Sequence, residues 1–335
     1  MGLRATFPCA PQGWYHVCAA RALLGKPVGV EVGGRKYVAF RDAGGAPAVL
    51  DARCSHMSAD LSRGSVKEGV LHCPLHDWRY DRSGSCVRIP ATPDTPPAFA
   101  RQAAFPTEQV GGHVVFHNST AAAFPMPFYD GVPPAELLPA KPFEFVVDTP
   151  WYMVGANAFD LQHFRVAHDR TLVDEPVVES PSPFARRITA TYDVSGTGWR
   201  DGLTRRFSGS RVRMSITVWG GTNILVTATF ARTTSYGMVF VRPITEQRTH
   251  LRTIVWVPRR RAAVARAILD PLDAFVRRRF IRAFMADDAA RSNGVRYNPA
   301  TLIAADRTMA EYMDWLVSVG KDAAECGDTS NTRSA

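Results

Sequence analysis

The sequence predicts an α+β protein: an antiparallel β domain at the N-terminus, a short connection, then a second domain in which an antiparallel sheet is covered by helices. Three observations carry this. Short runs of β-branched and aromatic residues punctuated by glycine turns fill the chain to about residue 117. A stretch rich in Ala and Pro follows, and a long series of alternating strands then gives way to two helical segments. Strands of period 2 without interleaved helices give antiparallel sheets, and helices that come after them cover one face.

In chain order, Val28–Val32 and Arg35–Phe40 flank Gly33-Gly34, a hairpin signal. Residues 48–50, 70–72 and 112–116 add short strands, so residues 1–118 read as one small β domain. His72 and His113 fall inside strands and His16 beside an aromatic pair, which suits packed or surface histidines. Residues 119–142, with Phe124-Pro125-Met126-Pro127 and Val132-Pro133-Pro134, form a connecting segment. The second domain, 143–326, opens with a strand at 143–147 and continues with a helical pattern from Tyr152 to His168. Strands then run from about Ile188 to Val257, with Val212, Met214, Ile216, Val218, Ile224, Val226 and Val239 in alternation. Helices are expected at about 261–291 and 300–319, and residues 327–335, polar and without an apolar anchor, as a disordered tail.

A chain of 335 residues with 46% hydrophobic content can bury a substantial core. The formal charge of +9 does not imply nucleic-acid binding, because the basic residues are mostly Arg scattered through strands and helices. The dense stretch from Arg259 to Arg279 carries Val264, Ile268, Leu269, Leu272, Phe275 and Val276 at helical spacing, which predicts an amphipathic helix with its apolar side inward and a solvated basic face. No run of about 20 apolar residues is free of charge, so no membrane span is expected, and a cytoplasmic location follows. Of six cysteines, Cys9, Cys18, Cys86 and Cys326 show no disulfide spacing and read as reduced thiols. No GxGxxG or Walker loop occurs, so NAD, FAD and ATP are not expected as ligands.

The chemistry concentrates in two places. The first is Cys54-Ser55-His56 with Cys73-Pro74-Leu75-His76. Two thiolates and two imidazoles on two loops are the ligand set of a Rieske [2Fe–2S] centre, where one iron takes two Cys and the other two His. A structural zinc site uses the same residue types. The surroundings favour the cluster: Pro74 lies within the second pair, which continues as Asp77-Trp78-Arg79-Tyr80-Asp81-Arg82-Ser83-Gly84 into a glycine turn. The second place is Asn157 to His168, where His163 and His168 are five apart and Asp160 lies three before His163, on the same helical face. Five residues span about 500° of helix, so a helix distortion or end must bring both imidazoles to one metal. Two histidines and one carboxylate compose the facial triad that holds Fe(II) with positions left open.

With these motifs in hand, the chain resembles the Rieske non-heme iron oxygenases, oxygenase (α) component, on the pattern C-x-H, spacer, C-P-x-H-x-W-x-[FY]. It is similar to the aminopyrrolnitrin oxygenase type in Trp14-Tyr15 and in His76-Asp77-Trp78-Arg79-Tyr80-Asp81. The resemblance implies an N-terminal Rieske domain followed by a helix-grip-like catalytic domain. In it Cys54, His56, Cys73 and His76 hold the cluster, with Trp78 and Tyr80 in support. The second segment matches N-x-x-D-x-x-H-x-x-x-x-H, which implies that His163 and His168 bind a mononuclear Fe(II), that Asp160 bridges a cluster histidine of a neighbouring subunit to an iron-bound histidine, and that Asn157 supports them. The family's third ligand is an Asp from a late helix, often the second acid of a pair; Asp288 takes that place, with Asp287 the alternative, although the residues after the pair depart from the family's usual run. Two solvated helix acids near Arg291 are the plain reading of the same pair.

The resemblance further implies a homotrimer fed by a separate reductase or ferredoxin, and mono- or dioxygenation, N-oxygenation or demethylation of a small organic substrate. The modest length favours the monooxygenase-like branch. Trp219, Phe230, Phe240 and Trp256 are candidate pocket walls, which suits an apolar or aromatic substrate, although core packing accounts for them equally. The rival readings are a Rieske electron carrier without oxygenase chemistry, for which the Asp160–His168 block has no use, and a zinc-stabilised interaction protein.

Overall fold

The computed structural model describes residues 7–92 and 95–327, with side chains through 319. Cys326 as a side chain and the tail beyond Gly327 therefore lie outside the described residues. The chain divides into two units, Gln12–Met126 and a second unit running from Pro127 onward that also takes up Phe7 and Pro8. The division falls inside the expected connecting segment. The first residues join the second unit because Phe7 stacks on Tyr152, with ring centroids 4.1 Å apart, and Pro8 accepts a hydrogen bond from the Trp151 indole.

The first unit is built from short antiparallel strands in three small sheets among the described residues. Val28–Val32 and Arg35–Arg41 form the expected hairpin, Val32 opposite Arg35, with Gly33 and Gly34 both at positive φ (56° and 78°) as a two-residue primed turn requires. Pro47–Asp51 and Ala104–Phe105 extend this sheet. A second sheet takes Ser65–Lys67, Val70–His72, Arg79–Tyr80 and Cys86–Arg88 in sequence order. The Cys73 loop connects its second and third strands and the Cys54 loop leads into it from Pro47–Asp51 of the first sheet, both beside a core of Val38, Phe40, Leu50, Leu61, Leu71 and Tyr80. His16, His72 and His113 are all buried. The imidazoles of His16 and His113 meet at 3.1 Å, as suits packed histidines.

The second unit is one nine-stranded antiparallel sheet among the described residues. Its centre is a meander of Ala185–Val194, Arg211–Trp219, Asn223–Phe230, Thr234–Thr245 and Arg248–Pro258. Five α-helices accompany it among the described residues: α1 (Trp151–Ala156), α2 (Leu161–His168), α3 (Trp199–Phe207), α4 (Ala263–Arg291) and α5 (Arg307–Gly327). The expected single helix from Tyr152 to His168 is in fact broken. After α1 comes a 3-10 turn, and Asp160, at φ −89° and ψ 93°, leaves the helical region before α2 begins.

The long basic helix reverses the sequence expectation. The apolar residues of its first half face outward, with Val264, Ile268 and Leu272 exposed by 74%, 64% and 57%, while Asp270 and Ala274 are buried against the unit. The reason is that Arg260, Arg277 and Arg278 are used inward, while Arg261, Arg266, Arg279 and Arg282 stay exposed. Arg260 donates to the buried Asp270 carboxylate at 2.8 Å, Arg277 donates to Asp273, the Thr234 carbonyl and Ser235, and Arg278 donates to the Lys141 carbonyl. Five-donor guanidinium groups saturate the helix's own Asp270 and Asp273 and the backbone carbonyls of neighbouring segments, and the apolar stripe of the first half of the helix is left on the outside. Among the described residues no helix is long and apolar enough to cross a membrane.

Candidate metal centres

In the first unit, two loops of the same design present Cys54 and Cys73. In each, the Cys carbonyl accepts the N–H of the residue four positions on, Ser58 at 2.8 Å and Asp77 at 3.1 Å. That residue adopts positive φ, 56° for Ser58 and 54° for Asp77. Asp tolerates the left-handed region better than most residues, and Asp77 is fixed there by its neighbours. Its carboxylate accepts from Arg79 at 2.7 Å and meets His72 Nδ1 at 2.6 Å. Partial burial opposes ionisation of Asp77, yet the hydrogen bonds from Arg79 and His72 hold its carboxyl below the usual range.

The loops bury the thiols of Cys54 and Cys73 (3% and 4% exposed) and leave His56 and His76 at the surface with their Nδ1 atoms 3.1 Å apart. Burial raises the Cys73 thiol, with Cys54 alongside as a hydrogen-bond partner. The Trp78 ring stacks on His56, nearly parallel at 3° and 4.6 Å between centroids. The Tyr80 hydroxyl, wholly buried, lies 3.1 Å from Cys54 Sγ and 2.9 Å from Ser55 Oγ. The four side chains form two pairs, one of thiols and one of imidazoles, rather than a single tetrahedral set. Among the described residues the one group of three or more potential ligand atoms within 4.8 Å of one another is in the other unit. Two pairs fit a two-iron cluster, one pair to each iron, better than one zinc.

That other group is His163, His168 and Asp288. Asp160 caps α2: its Oδ1 accepts the backbone N–H of His163 at 3.0 Å, so the two residues are joined by an N-cap and do not share a helical face as the sequence suggested. His168 is the last residue of α2, and Asp169 closes the helix in the left-handed conformation, φ 51°. The helix end is thus what lets two imidazoles five residues apart converge, Nε2 to Nε2 at 3.2 Å. Asp288, on α4, places one oxygen 2.8 Å from His163 Nε2 and 2.7 Å from His168 Nε2. Asp287 turns away to Arg200, 3.5 Å distant, and not to Arg291. Burial disfavours the charge on Asp288, but the donors His163 and His168 outweigh it and hold the carboxyl below its ordinary value. Metal bonds of about 2.1 Å at right angles separate ligand atoms by about 3.0 Å, and at tetrahedral angles by about 3.4 Å. The observed separations match a right-angled face, so the three residues could hold a metal and leave its other positions open.

Some contributors carried no readable motif. Phe284, one turn before Asp288, stacks on His168 at 3.7 Å and fixes its ring plane. Arg170 donates to the His168 carbonyl and to Asp201, both at 2.8 Å, and so anchors the end of α2. An aromatic four residues before a candidate ligand is the only signal that could have pointed to Phe284.

The three residues sit on the wall of a cavity of about 370 Å³, lined otherwise mainly by apolar side chains of the sheet and of α4, with Asn157 and Asp160 at the same wall. Of the four aromatics expected around it, Phe230 lines it, whereas Trp219, Phe240 and Trp256 do not. The pleat explains this, because side chains one residue out of phase point to opposite faces. Phe240 follows the lining residue Val239, Trp219 is out of phase with Met214 and Ile216, and Trp256, out of phase with Leu251 and Thr253, packs edge-on against Phe128.

Comparison with known proteins adds to this geometry. Residues 13–106 match the family model described as the Rieske [2Fe–2S] domain, so the N-terminal unit is a Rieske domain. Aminopyrrolnitrin oxygenase of Pseudomonas fluorescens is 33% identical over 164 residues, 46% of this chain and 45% of that protein. A 3-ketosteroid-9-alpha-monooxygenase oxygenase component of Rhodococcus rhodochrous is 38% identical over 117 residues, 35% of this chain and 30% of that one. The chain therefore matches less than half the length of these curated relatives. In fold the likeness extends over most of the chain: NdmB of Pseudomonas putida CBB5 superposes with a TM-score of 0.70 at 17% identity, covering 95% of both chains. Dicamba monooxygenase bound to dicamba gives 0.66 at 18% identity, covering 93% of this chain and 98% of that one. The resemblance thus holds in sequence over less than half of the chain, with the Rieske match at residues 13–106, and in fold over nearly all of it.

Proposed function

We propose that this chain is the terminal oxygenase component of a Rieske non-heme iron system, which uses O2 and electrons from a separate reductase or ferredoxin to hydroxylate, demethylate or N-oxygenate a small apolar or aromatic substrate. The observation that carries this reading is the group His163, His168 and Asp288, mutually within 2.7–3.2 Å on the wall of an apolar cavity. An electron carrier has no use for such a group. When bound, the [2Fe–2S] cluster would supply electrons one at a time and the mononuclear iron would supply the activation of O2.

The residues have separate tasks. Cys54 and Cys73 would hold the inner iron of the cluster, and His56 and His76 the outer one, where electrons enter and leave. His163, His168 and Asp288 would hold the mononuclear iron on one face, with Phe284 keeping His168 in plane. The cavity wall excludes water and orients the substrate. One Asp160 oxygen is used by the α2 cap; the other would accept from a cluster histidine of a neighbouring copy in a homotrimer. The relatives named for ketosteroid and aminopyrrolnitrin oxygenation support an apolar substrate class. Iron and acid-labile sulfide analysis tests the proposal. Wild type should hold three irons and two sulfides per chain, and His163→Ala should hold two irons and two sulfides with no product formed. Two irons in the wild type would leave only the electron-carrier reading.

A further inference from the structure

One hydroxyl in the cavity wall lacks a partner of adequate strength. Across the sheet, position 253 lies in register with Val239 and Phe143, and Val239 in turn with Ile224 and Ile224 with Val218. In this apolar row the residue is Thr253, 1% exposed. Its Oγ1 donates to Met285 Sδ at 3.5 Å, and a thioether is a weak acceptor. The cavity's other hydroxyls meet stronger partners, Ser292 donating to the Ala289 carbonyl at 3.3 Å. Thr149 donates to the Ser292 carbonyl, Thr204 donates to the Arg200 carbonyl at 2.9 Å, and Ser235 accepts from Arg277 at 2.8 Å. A buried hydroxyl without a good partner is disfavoured relative to the isosteric Val. Thr253 and Met285 both line the cavity, and Met285 is three residues, about 4.5 Å of helix rise, before Asp288.

We propose that Thr253 is a specificity-determining residue that donates a hydrogen bond to an uncharged carbonyl oxygen on an otherwise apolar substrate. This rests on the oxygenase reading of the same cavity and names its substrate class. The incoming oxygen displaces the sulfur as acceptor and holds one end of the substrate within a helical turn of the acid that completes the metal group. A carboxylate in this place would be a buried charge facing a single neutral donor. Arg170, the buried cation of the wall, is already paired with Asp201 at 2.8 Å. Arg291, the other lining cation, is exposed.

The test is isothermal calorimetry on the purified holoenzyme with two rigid probes of nearly equal shape, 9-fluorenone and fluorene, and the anion 9-fluorenone-4-carboxylate. Wild type should bind fluorenone about tenfold more tightly than fluorene, the worth of one good hydrogen bond. Thr253→Val should remove that preference by weakening fluorenone alone, and Thr253→Ser should keep it within about threefold. The anion should bind more weakly than fluorenone. Equal affinity for the two neutral probes in wild type, an unchanged preference in Thr253→Val, tighter binding of the anion that depends on Arg291, or no binding of either neutral probe would each overturn the proposal. Wild type with two irons per chain but the fluorenone preference intact would refute the oxygenase reading and leave the anchor standing.

Discussion

His117 offers a measurable pH signature of the first unit. Its ring is wholly buried, edge-on to Trp14 at 5.7 Å and to Phe124 at 5.7 Å. Nδ1 accepts the Ser119 N–H at 3.2 Å, and Nε2 has no partner among the described residues. Burial pushes the imidazole down from 6.5 to about 4. The folded state therefore keeps His117 neutral while the unfolded chain protonates it. Its contribution to stability is complete above pH 6.5 and is withdrawn as pH falls from there toward 4. At about 1.4 kcal/mol per pH unit the whole interval removes about 3 kcal/mol, of which about 1.4 is gone by pH 5.5. His117→Phe keeps the ring contacts and abolishes the titration, at the loss of one hydrogen bond from Ser119. Hydrogen exchange of the strand His113–His117 at pH 7.5 and 5.5, corrected for intrinsic rates, reads the opening free energy of this unit. Wild type should lose about 1.4 kcal/mol more than the variant over that interval. If the Phe variant lost as much as wild type, His117 would not be the group responsible.

Three further outcomes follow from the same geometry. Asp160→Asn should leave the fold and both metal contents intact, because Asn caps a helix as well as Asp does, while single-turnover oxidation of the pre-reduced cluster with O2 and substrate slows severely; an unchanged rate would reduce Asp160 to a cap. Tyr80→Phe should lower the cluster's reduction potential by about 20–60 mV, since the lost donor favours the more negative reduced state and a one-electron couple moves 59 mV for about 1.4 kcal/mol; voltammetry showing no shift or a rise would refute it. Gly84→Ala should lower the melting temperature of the first unit by at least about 5 °C, because Gly84 has φ 80° and an added Cβ would lie 2.1 Å from the Gln102 carbonyl oxygen; an unchanged melting curve would show that the turn can move.

What was legible in the sequence is local. The hairpin at Gly33-Gly34, the alternation of the central strands and the two cysteine–histidine loops are each determined by neighbours in the chain, and the structure places them where the pattern expects. The convergence of His163 and His168 was readable as a requirement for a helix distortion or end, and the end at His168 supplies it, whereas the break at Asp160 was not readable, because its N-cap competes with a helical pattern that runs straight through it. The facing of the basic helix was misread, since amphipathicity gives two faces and only the helix's own buried acid and the carbonyls of distant segments decide which is inward. Trp219, Phe240 and Trp256 failed as lining residues for a similar reason: large aromatics invite assignment to a pocket, while strand phase decides it. Phe284, Arg170 and Thr253 depend on contacts between distant segments and leave almost no trace in the sequence.

The second half of α4 carries Phe280, Ile281, Phe284 and Met285 of the cavity and, on the same unbroken helix, Asp288. Container and ligand are therefore geared together. A residue inserted anywhere between Phe280 and Asp288 would rotate one against the other by about 100°, turning the acid away from His163 and His168 whatever happened to the cavity. Divergence of substrate preference along this helix is thus confined to exchanging side chains at fixed length, while the sheet's turns, which bear no ligand, are free to lengthen or shorten.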